Sequence, residues 1–205
     1  MPGNTRRVLL ILDAQKAALS PPPMGIPSSK TVSKNITQIL ETARSANPPP
    51  LIIHIRTAGD VGEPDEPNTP GWELVNPPLP NEPVIDKKKN NAFAGTILGD
   101  LIVSDAEIVV VGLQSDFSLR ASEATRVSSH FGDPDFYVAC SAALDRGNEV
   151  LMVRGAHGTY DRLEVLFGEG TTTANAVEAE TEAELEEAGV CILEMKDLPG
   201  IFNNR

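Results

Sequence analysis

The feature that most constrains the fold is a set of short apolar runs separated by stretches with helical periodicity. The runs "VLLIL" at 8–12, "IVVVG" at 108–112 and "EVLMV" at 149–153 are almost wholly apolar, and "LIIHIRT", "VID" and "VCILEM" resemble further strands. Strands with apolar side chains on both faces are typical of parallel sheets that helices cover on both sides. The pattern therefore predicts an α/β protein with such a sheet.

Three stretches between these runs are predicted to be helical, and "SAALDRG" at 141–147 is predicted to close a further helix. The first stretch is "SSKTVSKNITQILETARSA" at 28–46, which Ser28 or Ser29 can cap and "NPPP" ends. The residues expected on its buried face are Val32, Ile36, Ile39, Leu40 and Ala43. The second, "GTILGDLI", is expected to turn Ile97, Leu98, Leu101 and Ile102 inward. The third, 174–188, carries six glutamates and is interpreted as a solvated face. The irregular stretch from Ala58 to Pro83 contains Trp72, and a loop of this length is usually functional.

The composition of the chain limits the kinds of molecule it is expected to bind and the cellular location we expect for it. The 205 residues, 40% of them hydrophobic, suit one domain with a sizeable core. The net charge of −12 and the pI of about 4.6 argue against nucleic acid or an anionic membrane as partner, because both require a basic face. No run has the length of a membrane span or of a signal-peptide core. We expect a cytoplasmic protein, although leaderless export would leave no signature.

Polar residues follow three of the predicted strands. Asp13 comes after the first strand, Lys87 after "VID", and Ser118 after "IVVVG". Because ligand sites of open parallel sheets lie at the carboxyl ends of the strands, these side chains are expected to converge. A carboxylate, an ammonium and a hydroxyl together form a plausible catalytic set.

Four segments resemble, in order, the motifs of the isochorismatase-like hydrolases, also called cysteine hydrolases. "LLILDAQ" resembles the opening D-x-Q, and "VIDKKKNNAFAGTIL" resembles K-x-x-x-x-A-F-x-G-T-x-L. "VVVGLQSDFSLRAS" resembles the nucleophile segment G-x-x-T-x-x-C-V-x-x-T, and "ALDRGNEVLMVRGAHGTYD" resembles the two motifs that follow it. Each motif alone is modest, but four in the right order are specific.

The resemblance implies a three-layer α/β/α, Rossmann-like fold around a six-stranded parallel sheet. It implies an Asp–Lys–Cys triad, which by position becomes Asp13, Lys87 and Ser118. It also implies a cis peptide bond between Leu113 and Gln114, which would direct the amides of Gln114 and Ser118 into an oxyanion hole.

Several residues have side chains that suit substrate binding, the aromatic ones as walls for a planar substrate and the arginines as partners of a substrate carboxylate. Candidate substrate-binding residues are Gln15, Arg56, Trp72, Phe93 and Arg120; Trp72 could equally serve packing alone. We expect no cofactor and no metal, since the histidine pair of the metal-binding nicotinamidase branch is absent. His54 is interpreted as a core or sheet-end residue and His157 as a residue that orders a loop. A homo-oligomer, dimer or tetramer, is expected because family members usually associate.

Serine at the nucleophile position is the first departure from the family pattern. A hydroxyl is much harder to ionise than a thiol. The preferred hypothesis is therefore non-covalent hydrolysis of a vinyl ether of the isochorismate type, with Asp13 as acid and Lys87 as electrostatic partner. One alternative is an amide or C–N hydrolase with Ser118 as nucleophile, and another is an inactive relative that acts as a binding protein.

The second departure is length, because Gly147 comes 29 positions after Ser118 where the family has about a dozen. We predict one domain over residues 1–205 with an insertion at about 123–140. Cys140 lies in this insertion, and "FYVACSAAL" is a weak rival for the nucleophile segment.

Overall fold

The computed structural model describes residues 7–114, 135–163 and 170–202. Its strands are β1 (Arg7–Leu12), β2 (Leu51–Thr57), β3 (Val84–Lys87), β4 (Glu107–Leu113), β5 (Glu149–Gly158), β6 (Arg162–Leu163), β7 (Thr171–Thr172) and β8 (Cys191–Leu193). The helices are α1 (Ser29–Ser45), α2 (Leu98–Leu101), α3 (Asp135–Asp145), α4 (Ala174–Glu187) and α5 (Leu198–Ile201), with a 3₁₀ turn at Met195–Asp197.

Six strands form one parallel sheet in the order β3-β2-β1-β4-β5-β8. Side chains alternate across β1: Leu10 packs with Phe136 and Cys140 on one face, whereas Leu9 and Ile36 pack on the other. Helix α3 covers the first face and α1 and α5 cover the second. The predicted three-layer parallel fold is thus confirmed.

Helix α1 buries all five side chains that its periodicity predicts. The prediction for the second helix is wrong at one position, because α2 is a single turn that begins after Ile97 and leaves that side chain 59% exposed. The predicted insertion overlaps α3, since Asp135 to Cys140 are helical. No helix in the three described ranges is long and apolar enough to cross a membrane.

The glutamates of α4 are not all solvated, as the charge pattern had suggested. Glu182 is half-buried, binds the guanidinium of Arg154 at 2.7 Å and lies 3.0 Å from His157 Nε2. Glu178 accepts hydrogen bonds from the Ser28 hydroxyl and the Thr159 amide, both at 3.3 Å. These partners lie on β5, directly after it, and directly before α1, so sequence periodicity alone could not identify them.

A buried charge network ties β2 to the loop before β3. His54 is buried, as expected for a core residue, and its Nε2 lies 3.0 Å from Glu82. Arg44 of α1 holds both oxygens of the same carboxylate, at 2.7 and 2.8 Å. Burial raises the pKa of Glu82, but hydrogen bonds from Arg44, Leu79 and His54 outweigh it and lower that pKa to about 2. Burial lowers the pKa of His54.

Both shifts predict that acid weakens the fold. A depressed histidine pKa favours the neutral ring, so stability declines as the pH falls below about 6.5. The depressed pKa of Glu82 adds stability that is lost from about pH 4.5 down to about 2. We expect Glu82→Gln to lower the free energy of unfolding at pH 7 by about 1–3 kcal/mol and to flatten its decline below pH 4.5. Urea titrations across this pH range measure the free energy of unfolding. Glu186→Gln, on the exposed face of α4, is the control. An equal loss of unfolding free energy in the control would contradict the prediction.

Candidate active site

Three polar side chains meet where the neighbouring strands β1, β2 and β3 end. Asp13 follows β1, while Thr57 and Lys87 are the last residues of β2 and β3 and are register partners. Because parallel strands end at the same edge of a sheet, this order brings the three together. The structure thus unites the predicted Asp13 and Lys87 with Thr57, which the sequence reasoning missed.

The three side chains form one hydrogen-bonded group. Lys87 Nζ lies 3.1 Å from Asp13 Oδ2 and donates to the Thr57 hydroxyl at 2.7 Å. That hydroxyl donates to Asp13 Oδ1 at 2.8 Å. The side chains of Asp13 and Lys87 are only 9% and 2% exposed. A buried carboxylate and a buried ammonium therefore neutralise each other beside a bridging hydroxyl.

The two oxygens of Asp13 are in different situations. Oδ1 is occupied by Thr57, whereas Oδ2 accepts no hydrogen bond from the described residues. Asp13 also has a left-handed backbone, with φ of 49°, a conformation that aspartate tolerates better than most residues. Such outliers cluster at functional sites. Oδ2 thus faces the Lys87 ammonium at 3.1 Å and is the carboxylate oxygen with room for a further hydrogen bond.

The end of β4 lies directly beside β1. Gly112 pairs with Leu12 and has φ of 128°; a Cβ there would lie 2.0 Å from the Leu12 carbonyl oxygen, so only glycine fits. The Leu113–Gln114 peptide bond that follows is cis, at the position implied by the resemblance. Ser118 and Arg120 lie outside the described residues, and so does the remainder of the predicted oxyanion hole.

Gln15 has an internal role in this structure. Its amide nitrogen donates to the carbonyl oxygens of Thr57, at 3.0 Å, and Trp72, at 3.2 Å. Its amide oxygen accepts the Thr57 backbone N–H at 2.9 Å. Both hydrogens of the side-chain amide nitrogen are thereby used, and the side chain is buried. Gln15 therefore holds the end of β2 in place, and its predicted substrate contact has no donor left to make it.

Arg56 and Trp72 form a second group near the same strand ends. The Arg56 guanidinium lies 3.3 Å from the centre of the Trp72 ring and binds both oxygens of Asp86, its register partner on β3, at 2.6 and 3.1 Å. A charged substrate would have to compete with Asp86 for Arg56. Phe93 packs against the core on one side and faces Arg146 at 5.2 Å from its ring centre.

Cys140 does not have the environment of a reactive thiol. It is fully buried in the core between α3 and the sheet, and burial strongly raises the pKa of its thiol. A nucleophilic cysteine requires the opposite shift and exposure to substrate. The rival interpretation of "FYVACSAAL" as the segment that supplies a nucleophilic cysteine is thus not supported by this geometry.

The loop from Ala58 to Val75 is fastened over the same edge by backbone hydrogen bonds. The carbonyls of Gly71 and Glu73 accept from Ala17 and Lys16, and the Val75 amide donates to Ala14. These bonds join the loop to the segment directly after Asp13. The predicted functional loop is therefore placed against the Asp13–Thr57–Lys87 group. In the described parts of the chain, no group of three or more His, Cys, Asp or Glu side chains could hold a metal ion.

Comparison with known proteins identifies relatives of this chain. Residues 7–128 match the Isochorismatase domain family. Two streptothricin hydrolases of Streptomyces noursei are 33% and 32% identical over 159 residues, 76% of this chain and 55% and 50% of their own length. The chain therefore spans about half the length of the curated relatives it matches.

Solved structures agree with the fold. An isochorismatase of Pseudomonas putida KT2440 has a TM-score of 0.75 at 25% identity, over 94% of this chain and 90% of that one. A cysteine hydrolase of Pseudomonas syringae has a TM-score of 0.75 at 17% identity, over 97% of this chain and 92% of that one. At that lower identity the likeness concerns the fold alone.

Proposed function

The chain belongs to the isochorismatase family of hydrolases, and on this premise we propose that it hydrolyses an amide or related C–N bond of a small molecule, with Asp13 as the proton-transferring residue. The observation that carries the proposal is the Asp13–Lys87 ion pair at 3.1 Å with one carboxylate oxygen left without a hydrogen bond. An ionised carboxylate can act as a base.

A general base assists hydrolysis by taking the proton of the attacking group as that group bonds to the substrate carbon. Here Asp13 Oδ2 would take the proton and pass it to the leaving nitrogen as the C–N bond breaks. Lys87 together with the Thr57 hydroxyl would stabilise the carboxylate and fix its orientation. The attacking group is either water or the Ser118 hydroxyl, which the variants described in the Discussion separate. Relatives that are streptothricin hydrolases add support for this bond class.

Vinyl-ether hydrolysis, which the sequence favoured, is the second candidate. It requires Asp13 to donate a proton to carbon, so Oδ2 would have to be protonated although an ammonium lies 3.1 Å away. One observation favours this reaction: Oδ2 accepts no hydrogen bond from the described residues and can therefore carry a proton. The relatives that are streptothricin hydrolases favour amide hydrolysis, and we therefore rank the vinyl-ether reaction below it. We also keep two earlier expectations as part of the proposal. These are a cytoplasmic location and, from the family resemblance, assembly into a dimer or tetramer.

A substrate panel tests the proposal. Purified protein is incubated with small amides, streptothricin and isochorismate, and the release of ammonia or amine and of pyruvate is followed. We expect amine or ammonia release that Asp13→Asn eliminates and that Asp60→Asn, an exposed change of the same kind, leaves intact. Pyruvate release alone would favour the vinyl-ether candidate. No turnover of any compound by a folded sample would refute both and favour the inactive binding protein.

A further inference from the structure

The Gln15 side chain continues the pairing of β2 beyond the end of β1. The register of these two strands ends at Leu12 and Ile55, and the Asp13 amide then donates to the Ile55 carbonyl at 3.0 Å. Asp13 itself has a left-handed conformation, which is not that of a strand. The Gln15 amide accepts the Thr57 N–H at 2.9 Å and donates to the Thr57 carbonyl at 3.0 Å. It thus supplies the acceptor and the donor that a neighbouring strand would otherwise provide.

Asp13 and Gln15 both bind Thr57, and they belong to one tight turn. The Gln15 N–H donates to the Asp13 carbonyl at 2.7 Å. Gln15 holds the backbone of Thr57 at its N–H and its carbonyl, while the Thr57 hydroxyl donates to Asp13 Oδ1 at 2.8 Å. A hydrogen bond weakens steeply when its distance or angle departs from the optimum. The bond to Oδ1 therefore depends on where Gln15 holds the Thr57 backbone.

The same side-chain amide also binds the loop from Ala58 to Val75. Its second hydrogen is donated to the Trp72 carbonyl oxygen at 3.2 Å. The Trp72 ring lies 3.3 Å from the guanidinium of Arg56, the residue before Thr57 in β2. Trp72 is therefore attached to the last two residues of β2, by its carbonyl through Gln15 and by its ring through Arg56. A displacement of this part of the loop would be transmitted to Thr57.

We propose that Gln15 is a positioning residue of the active site, which sets the geometry of the Asp13–Thr57–Lys87 group and couples that group to the loop at Trp72. The inference rests on the proposed function for its effect on the reaction. Both amide hydrogens of Gln15 are used within the protein and its side chain is buried, so it acts through Thr57 rather than at the scissile bond. A misplacement of about 1 Å can lower the rate of an enzyme about 10²-fold.

Steady-state kinetics of Gln15→Met test the effect on the reaction, because methionine fills a similar volume and makes none of the three amide hydrogen bonds. We expect kcat to fall about 10–100-fold, with a smaller change in KM. In a Thr57→Val background the same change should lower kcat by less than about twofold, since the hydroxyl that Gln15 positions is already absent. A residue that supports only the fold would lower kcat equally in both backgrounds. Gln38→Met, at an exposed position of α1, is the control.

Two further measurements require no turnover. Trp72 is the one tryptophan of the chain, and its indole N–H is buried with no hydrogen-bond acceptor among the described residues. Loss of the Gln15 bond should shift its fluorescence to longer wavelength and increase quenching by acrylamide in Gln15→Met, and Gln38→Met should show neither change. In a crystal structure of Gln15→Met, the Thr57 hydroxyl should lie more than about 3.5 Å from Asp13 Oδ1, beyond hydrogen-bond distance.

Failure of this proposal can be told apart from failure of the proposed reaction. An equal loss of kcat in both backgrounds, unchanged Trp72 fluorescence, or an intact Thr57–Asp13 hydrogen bond in Gln15→Met would overturn the role of Gln15. If Gln15→Met does not fold, Gln15→Glu takes its place, because it keeps the shape and the acceptor but loses both donors; failure of both to fold would also overturn that role. If no compound on the panel is turned over, the reaction is refuted, and the fluorescence and the distance decide the role of Gln15.

Discussion

Exchange of Asp13 for asparagine is expected to lower kcat by about 10²–10⁴-fold on whichever substrate turns over, because an amide cannot accept the proton that the carboxylate takes. Asparagine has the same shape and tolerates the left-handed backbone at this position, with φ of 49°. The hydrogen bond from Thr57 to the side-chain oxygen can remain. Steady-state kinetics at a fixed pH, with circular dichroism as a check of folding, measure the effect.

Ser118→Ala shows which group attacks the substrate. If water attacks, the alanine variant should keep most of the activity while Asp13→Asn loses it. If an acyl-serine forms, both variants should be inactive, and Ser118→Cys should raise the rate because a thiol ionises more readily. A folded Asp13→Asn protein that retains its full rate would contradict the assignment of Asp13 in either mechanism.

The sequence predicted the residues whose position follows from strand ends alone. Asp13 and Lys87 each come directly after an apolar run, so a parallel sheet is enough to bring them together. Thr57 was missed because a threonine at the end of "LIIHIRT" is an equally ordinary strand residue. Its role depends on the register of β2 against β3, which pairs it with Lys87.

The strand register also decides which polar side chains already have a partner within the protein. Arg56 is paired with Asp86 because the two are neighbours across β2 and β3, and nothing in the local sequence of either residue shows it. Gln15 similarly reaches Thr57 and Trp72, which lie 42 and 57 residues away. Burial of Glu178 and Glu182 depends on contacts of α4 with α1 and β5. Such long-range partners lie beyond any periodicity argument.

The second large effect concerns the long segment between β4 and α3. The Phe136 amide donates to the Gln114 carbonyl oxygen at 3.2 Å, although 22 positions separate these residues. Helix α3 is anchored independently, through the buried side chains of Phe136, Ala139, Cys140 and Ala143. The sequence "SDF" at 115–117 is also echoed by "PDF" at 134–136. The start of α3 thus lies where the chain leaves β4.

We therefore expect that residues 116–134 can be deleted without loss of the fold. Deletion makes Gln114, Ser115, Asp135 and Phe136 consecutive, so the existing contact becomes the i to i+3 hydrogen bond of a tight turn. The free energy of unfolding should hold or rise, by about 1–3 kcal/mol, because a shorter connection between two packed elements costs less conformational entropy to close. Denaturant titration measures it, and a variant with a Gly/Ser segment of equal length separates the effect of length from that of sequence.

The deletion also bears on the chemistry, because it removes Ser118 and Arg120 and places Tyr137 four residues after Gln114, where Ser118 stands in the intact chain. The Asp13–Thr57–Lys87 group is built entirely from β1, β2 and β3 and should survive. Turnover by the deletion variant would exclude Ser118 as nucleophile and leave water as the attacking group. A folded variant without activity would make 116–134 part of the active site. A variant that unfolds while the Gly/Ser variant remains folded would contradict the tight-turn geometry.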